Sequence, residues 1–108
     1  MDGIKKILQP PYYAVIFTSE RTEGDNGYNK MSQAMEELAT KQQGYLGMES
    51  ARNNELGITI SYWETLEDIK SWKEHSSHKI AQDRGKKEWY KNYTVRVCKV
   101  EKDYSFEM

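Results

Sequence analysis

The spacing of hydrophobic and polar residues changes along the chain, and each change marks a predicted element. Residues 12–20 (YYAVIFTSE) are rich in β-branched and aromatic side chains, which predicts a strand. Apolar residues then recur at helical spacing, at Tyr28, Met31, Ala34, Met35, Leu38 and Ala39. This pattern predicts an amphipathic helix, which Asp25 or Asn26 can cap and which Gly44 can end.

The next predicted elements are two strands and the start of a helix. Residues 45–52 and 58–64 predict strands joined by the polar turn NNELG. Thr65, with Asp68 three residues on, resembles a capping box in which Asp replaces the usual Glu. We therefore expect a short helix after the second of these strands, with Trp72 on its apolar side.

The last predicted elements are a second helical piece and a strand. Ser76 or Ser77 can cap a helix over residues 78–90, in which Gly85 lets helix and sheet approach closely. Residues 92–101 predict the final strand. The order is β-α-β-β-α-β, which indicates a ferredoxin-like α+β fold: a four-stranded antiparallel sheet with its helices on one face.

One domain accounts for nearly the whole chain. A length of 108 residues suits one modest core. We place the domain at residues 12–104. Residues 1–11 form an N-terminal arm, because consecutive prolines at its end block a central strand. Residues 105–108 are a tail.

The strand patterns leave a second apolar face on the sheet. The first strand carries Tyr13, Val15 and Phe17 on one side and Tyr12, Ala14 and Ile16 on the other. Helices can cover only one side, and the other would expose on the order of 400 Å² of apolar area, the upper range for a monomer. Covering it is worth roughly 10 kcal/mol before association costs. We therefore expect a homodimer that packs sheet against sheet.

Composition narrows the class of partner and the compartment. The 16 basic and 17 acidic side chains give no electrostatic case for nucleic acid or for an anionic membrane. The apolar runs are too short for a signal peptide or a membrane span. A single cysteine, Cys98, excludes an internal disulfide and suits a reducing compartment. We expect a soluble cytoplasmic protein.

Two segments resemble a known family. The first, YWETLEDIKSWKEH (62–75), joins a strand to a short helix that bears Trp72 and then His75, and the second, 78–104, joins a helix to the final strand. Together they resemble the antibiotic biosynthesis monooxygenase (ABM) domain, a dimeric α+β barrel. The resemblance covers roughly residues 12–104. It implies a pocket between sheet and helices, closed by the segment SWKEHSSH, and an aromatic or quinol-like substrate oxidised without metal or flavin.

The resemblance and the residue chemistry select candidate site residues. His75 matches the histidine of the family's W-x-x-H segment and is the candidate general base; its alternative role is to close the end of a helix as a cation favoured by the C-terminal dipole. Trp72, Trp63 and Tyr62 can line an aromatic pocket or serve as core. Arg96 can steer an acidic or phenolic substrate, or it can pair with an acid across the dimer interface. Both alternatives stay open.

Metal and haem sites fit the sequence less well. His75 and His78 lack a third ligand nearby, so we expect no metal, and we expect His78 to face solvent. The haem-degrading members of the family resemble this chain at Trp72. However, Gln82 stands where their axial histidine is needed, and Thr18 or Ser19 where they carry an asparagine.

Three functions remain, in order of preference. The first is a cofactor-free monooxygenase acting on a small aromatic or quinol-type molecule. The second is a ligand-binding or stress-related protein of the same fold without turnover. Haem binding with degradation is the third. The sequence does not identify a substrate.

Overall fold

Strands and helices follow the predicted β-α-β-β-α-β order in a computed structural model that describes residues 8–108. Residues 1–7 of the predicted arm lie outside the described residues. The elements are β1 (Tyr12–Arg21), α1 (Tyr28–Thr40), β2 (Tyr45–Arg52), β3 (Gly57–Trp63), α2 (Leu66–Glu74), α3 (Ser76–Arg84), a π-helical turn (Gly85–Trp89) and β4 (Tyr90–Val100). The α+β ferredoxin-like fold is confirmed.

The four strands form one antiparallel sheet in the order β2-β3-β1-β4. Val15 lies between Ser61 and Val97, so these side chains share one face. We call this face the helix side, because Trp63 on it stacks against Trp72 of α2. The opposite face carries Tyr12, Ala14, Ile16, Ile58, Ile60, Tyr62, Arg96 and Cys98.

Trp63 is the centre of the core on the helix side. Its side chain is 0% exposed, and its indole N–H donates to the hydroxyl of Ser61 over 2.9 Å. Tyr45 packs edge-on against the same indole, with ring centroids 5.7 Å apart. A buried indole needs a partner for its N–H, and a serine two residues earlier on the same strand face supplies one. This contact fixes the end of β3 from which α2 departs.

The helix starts follow local capping chemistry. The N-cap position of α1 is Gly27, and the Asp25 carboxylate two residues earlier accepts from the backbone N–H groups of Gly27, at 3.0 Å, and Asn29, at 3.2 Å. At α2, the Thr65 hydroxyl accepts from the Asp68 N–H at 3.0 Å and donates to its carboxylate at 2.8 Å. The predicted cap of α2 is confirmed.

The second half of the helical layer differs from its prediction at both ends. α3 begins at Ser76 and gives way to a π-helical turn at Gly85, and β4 begins at Tyr90 rather than at residue 92. A Cβ on Gly85 would lie 2.9 Å from the ring of Tyr90. The absence of that Cβ lets the turn pack directly on the strand, which confirms the close approach expected at this glycine.

Apolar side chains remain open on both the sheet and the C-terminal segment. On the helix side of β4, Val95 and Val97 are each 49% exposed. Beyond β4, Tyr104, Phe106 and Met108 are fully or almost fully exposed. The helices therefore cover only part of their own side of the sheet. No helix within residues 8–108 is long and apolar enough to cross a bilayer.

Candidate functional site

The aromatic and imidazole rings of the predicted site meet at the corner between α2 and α3. His75 forms this corner, because its backbone is extended (φ −60°, ψ 131°) between two helices. Its N–H donates to the Trp72 carbonyl over 3.1 Å and so ends α2. One extended residue between helices turns the chain back, which brings a side chain from α3 against Trp72.

Three nearly parallel rings run from the sheet to this corner. The Trp63 and Trp72 ring centroids lie 6.2 Å apart at an interplanar angle of 27°. The His78 imidazole stacks on Trp72 at 4.4 Å and 11°. The His75 ring is farther from Trp72, at 5.9 Å, and tilted by 44°. Such stacked pairs are worth about 0.5–1.5 kcal/mol each beyond the area they bury.

The hydrogen bond of His75 limits what its ring can do. Its Nδ1 accepts from the Ser77 backbone N–H over 3.2 Å and caps α3, the role predicted for Ser76 or Ser77. A neutral imidazole that accepts at Nδ1 carries its hydrogen on Nε2. His75 therefore caps the start of α3 with its ring and ends α2 with its backbone N–H, whereas the predicted structural role was that of a cation at the end of a helix. While this cap is made, its neutral ring offers a donor and no free lone pair.

His78 has the opposite arrangement. Its Nδ1 lies 3.0 Å from the Trp72 carbonyl, which can only accept, so Nδ1 carries the hydrogen and Nε2 keeps its lone pair. Burial is the largest influence on this ring and lowers the pKa of His78. The Trp72 carbonyl raises that pKa and His75 lowers it further. The prediction that His78 faces solvent is wrong, because its ring is half-buried against Trp72.

The predicted substrate-binding residues are divided between the two faces of the sheet. Trp63 lies on the helix side with Trp72, whereas Tyr62 and Arg96 lie on the opposite face. The Tyr62 hydroxyl donates to Glu49 over 2.8 Å. Burial first, and this carboxylate second, raises the pKa of Tyr62 to about 12. Neighbouring strand residues point to opposite faces, so Tyr62 and Trp63 cannot line one pocket on the helix side.

The open part of the helix side is apolar. Val95 and Val97 of β4 lie beside Val15 and Phe17 of β1, and the Phe17 ring meets Tyr93 at 5.2 Å. We call these residues the apolar strip. A separate open depression of about 460 Å³ lies at one end of the sheet and is lined by Glu20, Arg21, Asn54, Glu55, Leu56 and Lys91. The apolar strip is on the same side of the sheet as the ring stack.

The residues that a haem or metal site would use do not converge. Thr18 lies on the opposite face of the sheet, while Ser19 is buried and accepts from Arg52 over 2.5 Å. Gln82 is half-buried on α3. Within residues 8–108 no group of three or more His, Cys, Asp or Glu side chains is placed to hold a metal ion.

Solved structures share this fold over nearly their whole length. A putative antibiotic biosynthesis monooxygenase from Nitrosomonas europaea superposes with a TM-score of 0.74 at 10% identity, covering 88% of this chain and 95% of that one. A variant of SnoaB, a cofactor-independent oxygenase from Streptomyces nogalater, gives 0.74 at 5% identity, covering 86% and 96%. At such identities the likeness shows the fold alone.

Sequence comparison identifies the family. The uncharacterized protein YqjZ of Bacillus subtilis is 44% identical over 108 residues, covering 99% of this chain and 95% of that protein. The family described as monooxygenase af470-like matches residues 18–99, which is most of the domain. The chain therefore belongs to the monooxygenase af470-like family, of the antibiotic biosynthesis monooxygenase type.

Proposed function

We propose that this protein is a cofactor-free monooxygenase for a small aromatic or quinol-type molecule, with His78 as its general base. The observation that carries the proposal is the Nδ1 hydrogen bond of His78 to the Trp72 carbonyl, which fixes the ring and leaves the lone pair on Nε2. Burial lowers the pKa of His78, so the ring is neutral and can accept a proton at pH 7. His75 was the base candidate from sequence, but its lone pair is engaged at the start of α3.

The reaction requires the protein to bind the substrate and to remove a proton from it. His78 takes a proton from the substrate hydroxyl or activated CH group at Nε2. The substrate anion then supplies electrons to O₂. One oxygen atom enters the product and the other leaves as water, so that RH₂ and O₂ become R=O and H₂O. The substrate is the only reductant, and no metal or flavin is required.

The substrate class is supported by rings and apolar side chains on the helix side of the sheet. Trp63 is fully buried and Trp72 has a ring on each of its faces, so a flat aromatic substrate can extend this stack only at its His78 end. Val95 and Val97, half-exposed on β4, add apolar surface to this side of the sheet.

We also propose that the opposite face of the sheet packs on a second copy of this chain. Ile58, at 37% exposure, and the exposed Arg96 both lie on it. Glu49 is exposed on the same face, where it accepts from the Tyr62 hydroxyl. The face therefore carries an acidic and a basic side chain, which can pair with those of a second copy across a two-fold axis. In this proposal Arg96 has the second of its two predicted roles, pairing with an acid across the dimer interface. Light scattering at micromolar concentration tests the dimer, and a monomer mass would remove it.

Oxygen uptake tests the proposed activity. Purified protein, treated with a chelator, is screened against phenols and quinols in an oxygen electrode. We expect uptake above the uncatalysed rate with wild type and with Lys79→Gln, an exposed neighbour on α3, and loss of uptake with His78→Gln. Glutamine can still donate to the Trp72 carbonyl but cannot take the proton.

Two other results would redirect the assignment. Quenching of tryptophan fluorescence by an aromatic ligand, without oxygen uptake for any compound, would indicate the ligand-binding protein without turnover. A saturating Soret shift on haem addition, followed by loss of the band with a reductant under air, would indicate haem degradation. Since Gln82 offers no imidazole to iron, we expect no such shift.

A further inference from the structure

The corner between α2 and α3 is closed by a set of hydrogen bonds that involve both histidines. The Trp72 carbonyl accepts from the His75 N–H at 3.1 Å and from His78 Nδ1 at 3.0 Å. The ring of His75 accepts from the Ser77 N–H at 3.2 Å. The His75 carbonyl in turn accepts from the Lys79 N–H at 2.9 Å, the first turn of α3. The position of the His75 ring and the hydrogen bonding of the first turn of α3 therefore stabilise each other.

Protonation affects the two histidines differently. The bonded nitrogen of His78 already carries hydrogen, so a proton added at Nε2 leaves its bond to the Trp72 carbonyl intact. The bonded nitrogen of His75 uses its lone pair, and a proton added there competes directly with the Ser77 N–H. An imidazolium has no acceptor, so the cap of α3 exists only while His75 is neutral.

We propose that His75 is a positioning residue: while neutral it caps α3 and holds the His78 ring against Trp72, and its protonation releases the corner. The release itself is independent of the proposed function, whereas its effect on turnover rests on His78 acting as the base. The expected result is a site that is ordered at neutral pH and loosens under acid conditions.

The charged and titratable groups near His75 are one histidine and three exposed side chains. From α3, the titratable group that faces it is His78, and His75 lowers the pKa of that ring. Lys73 and Glu74 at the end of α2 and Lys79 on α3 are exposed, so water and salt screen their fields. A second cation beside Trp72 adds repulsion to the loss of the cap.

Two substitutions separate the cap from the titration. Asparagine is a strong N-cap residue without a titrating ring, so His75→Asn keeps an acceptor for the Ser77 N–H at all pH values. His75→Ala removes the acceptor at all pH values. Amide hydrogen exchange of Ser77 and the ring signals of His78 are followed by NMR from pH 5 to 8, the range in which imidazoles change charge.

The expected pattern distinguishes the three proteins. In wild type, protection of the Ser77 amide falls by about 2- to 30-fold as the pH drops, the range set by the worth of an N-cap. In His75→Asn the protection stays constant, and in His75→Ala it is low throughout. The proposal is overturned if wild type shows no change, or if His75→Asn shows the same change as wild type.

A turnover measurement tests the link to the base. With any substrate found, kcat should fall further at acid pH in wild type than in His75→Asn. The same fall in both proteins would contradict the link between the cap and His78. If no substrate is turned over, the proposed function fails, while the exchange measurement still decides the corner.

Discussion

Gly44 lies between α1 and β2 and packs against the start of α2, the helix that carries Trp72. Its φ of 82° is left-handed, and its carbonyl accepts from the Glu64 N–H over 2.8 Å. A Cβ at this position would overlap the carboxylate of Asp68. That carboxylate is part of the Thr65–Asp68 cap of α2, so Gly44→Ala must either displace the cap or shift β2.

The cost of Gly44→Ala can be estimated from its two parts. A left-handed backbone costs a non-glycine residue about 1–2 kcal/mol. Loss of the α2 cap adds about 1 kcal/mol. We expect a decrease of about 2–3 kcal/mol in the free energy of unfolding, measured by urea titration with tryptophan fluorescence as the signal.

Gly24→Ala provides the matched control. Gly24 has nearly the same φ, 80°, but a Cβ there would meet only the Asn26 side chain at 3.8 Å, an ordinary contact. It should therefore lose only the backbone part, about 1–2 kcal/mol. Equal losses in Gly24→Ala and Gly44→Ala would refute the claim that Gly44 makes room for the cap of α2.

Three further predictions follow from buried rings. Trp63→Ala should lower the free energy of unfolding by about 3–5 kcal/mol in urea titration, because its 0% exposed indole leaves a cavity; a loss below about 1 kcal/mol would contradict its place in the core. Trp72→Leu should raise the lowered pKa of His78 toward 6.5 in an NMR titration, and the wild type should lose stability as the pH falls below 6.5; an unchanged pKa would contradict shielding by Trp72. The pKa values of Tyr12 and Tyr62 are raised to about 12, chiefly by burial, so stability should fall as the pH rises from 10 to 12, less steeply in Tyr12→Phe; parallel curves would contradict this.

Much of the fold was predictable because its signals are local. The strands were recognised from β-branched and aromatic runs, and the cap at Thr65 and Asp68 from its spacing. The close approach at Gly85 also followed from residue type. In each case a few neighbouring residues decide the structure, and tertiary contacts agree with them.

The chemistry of the site was less predictable because it depends on geometry between elements. His75 and His78 are three residues apart, and only the extended backbone at His75 decides which nitrogen of each ring is engaged. Likewise, the face of the sheet that carries Arg96 depends on the strand register, which pairs it with Ile16. Two histidines three residues apart at a helix break, with Trp72 one turn before the first of them, form the sequence pattern that accompanies the stacking of His78 on Trp72.

The most direct test of the account is a reaction of the chelator-treated protein with ¹⁸O₂ and the most active phenol or quinol, comparing wild type with His78→Gln. We predict one labelled atom in the product and one in water. We also predict a fall in kcat of about 10²–10⁴-fold in the variant, the usual contribution of a general base. Turnover by His78→Gln at the wild-type rate would contradict the assignment of the base. A requirement for added metal or haem would contradict the cofactor-free mechanism.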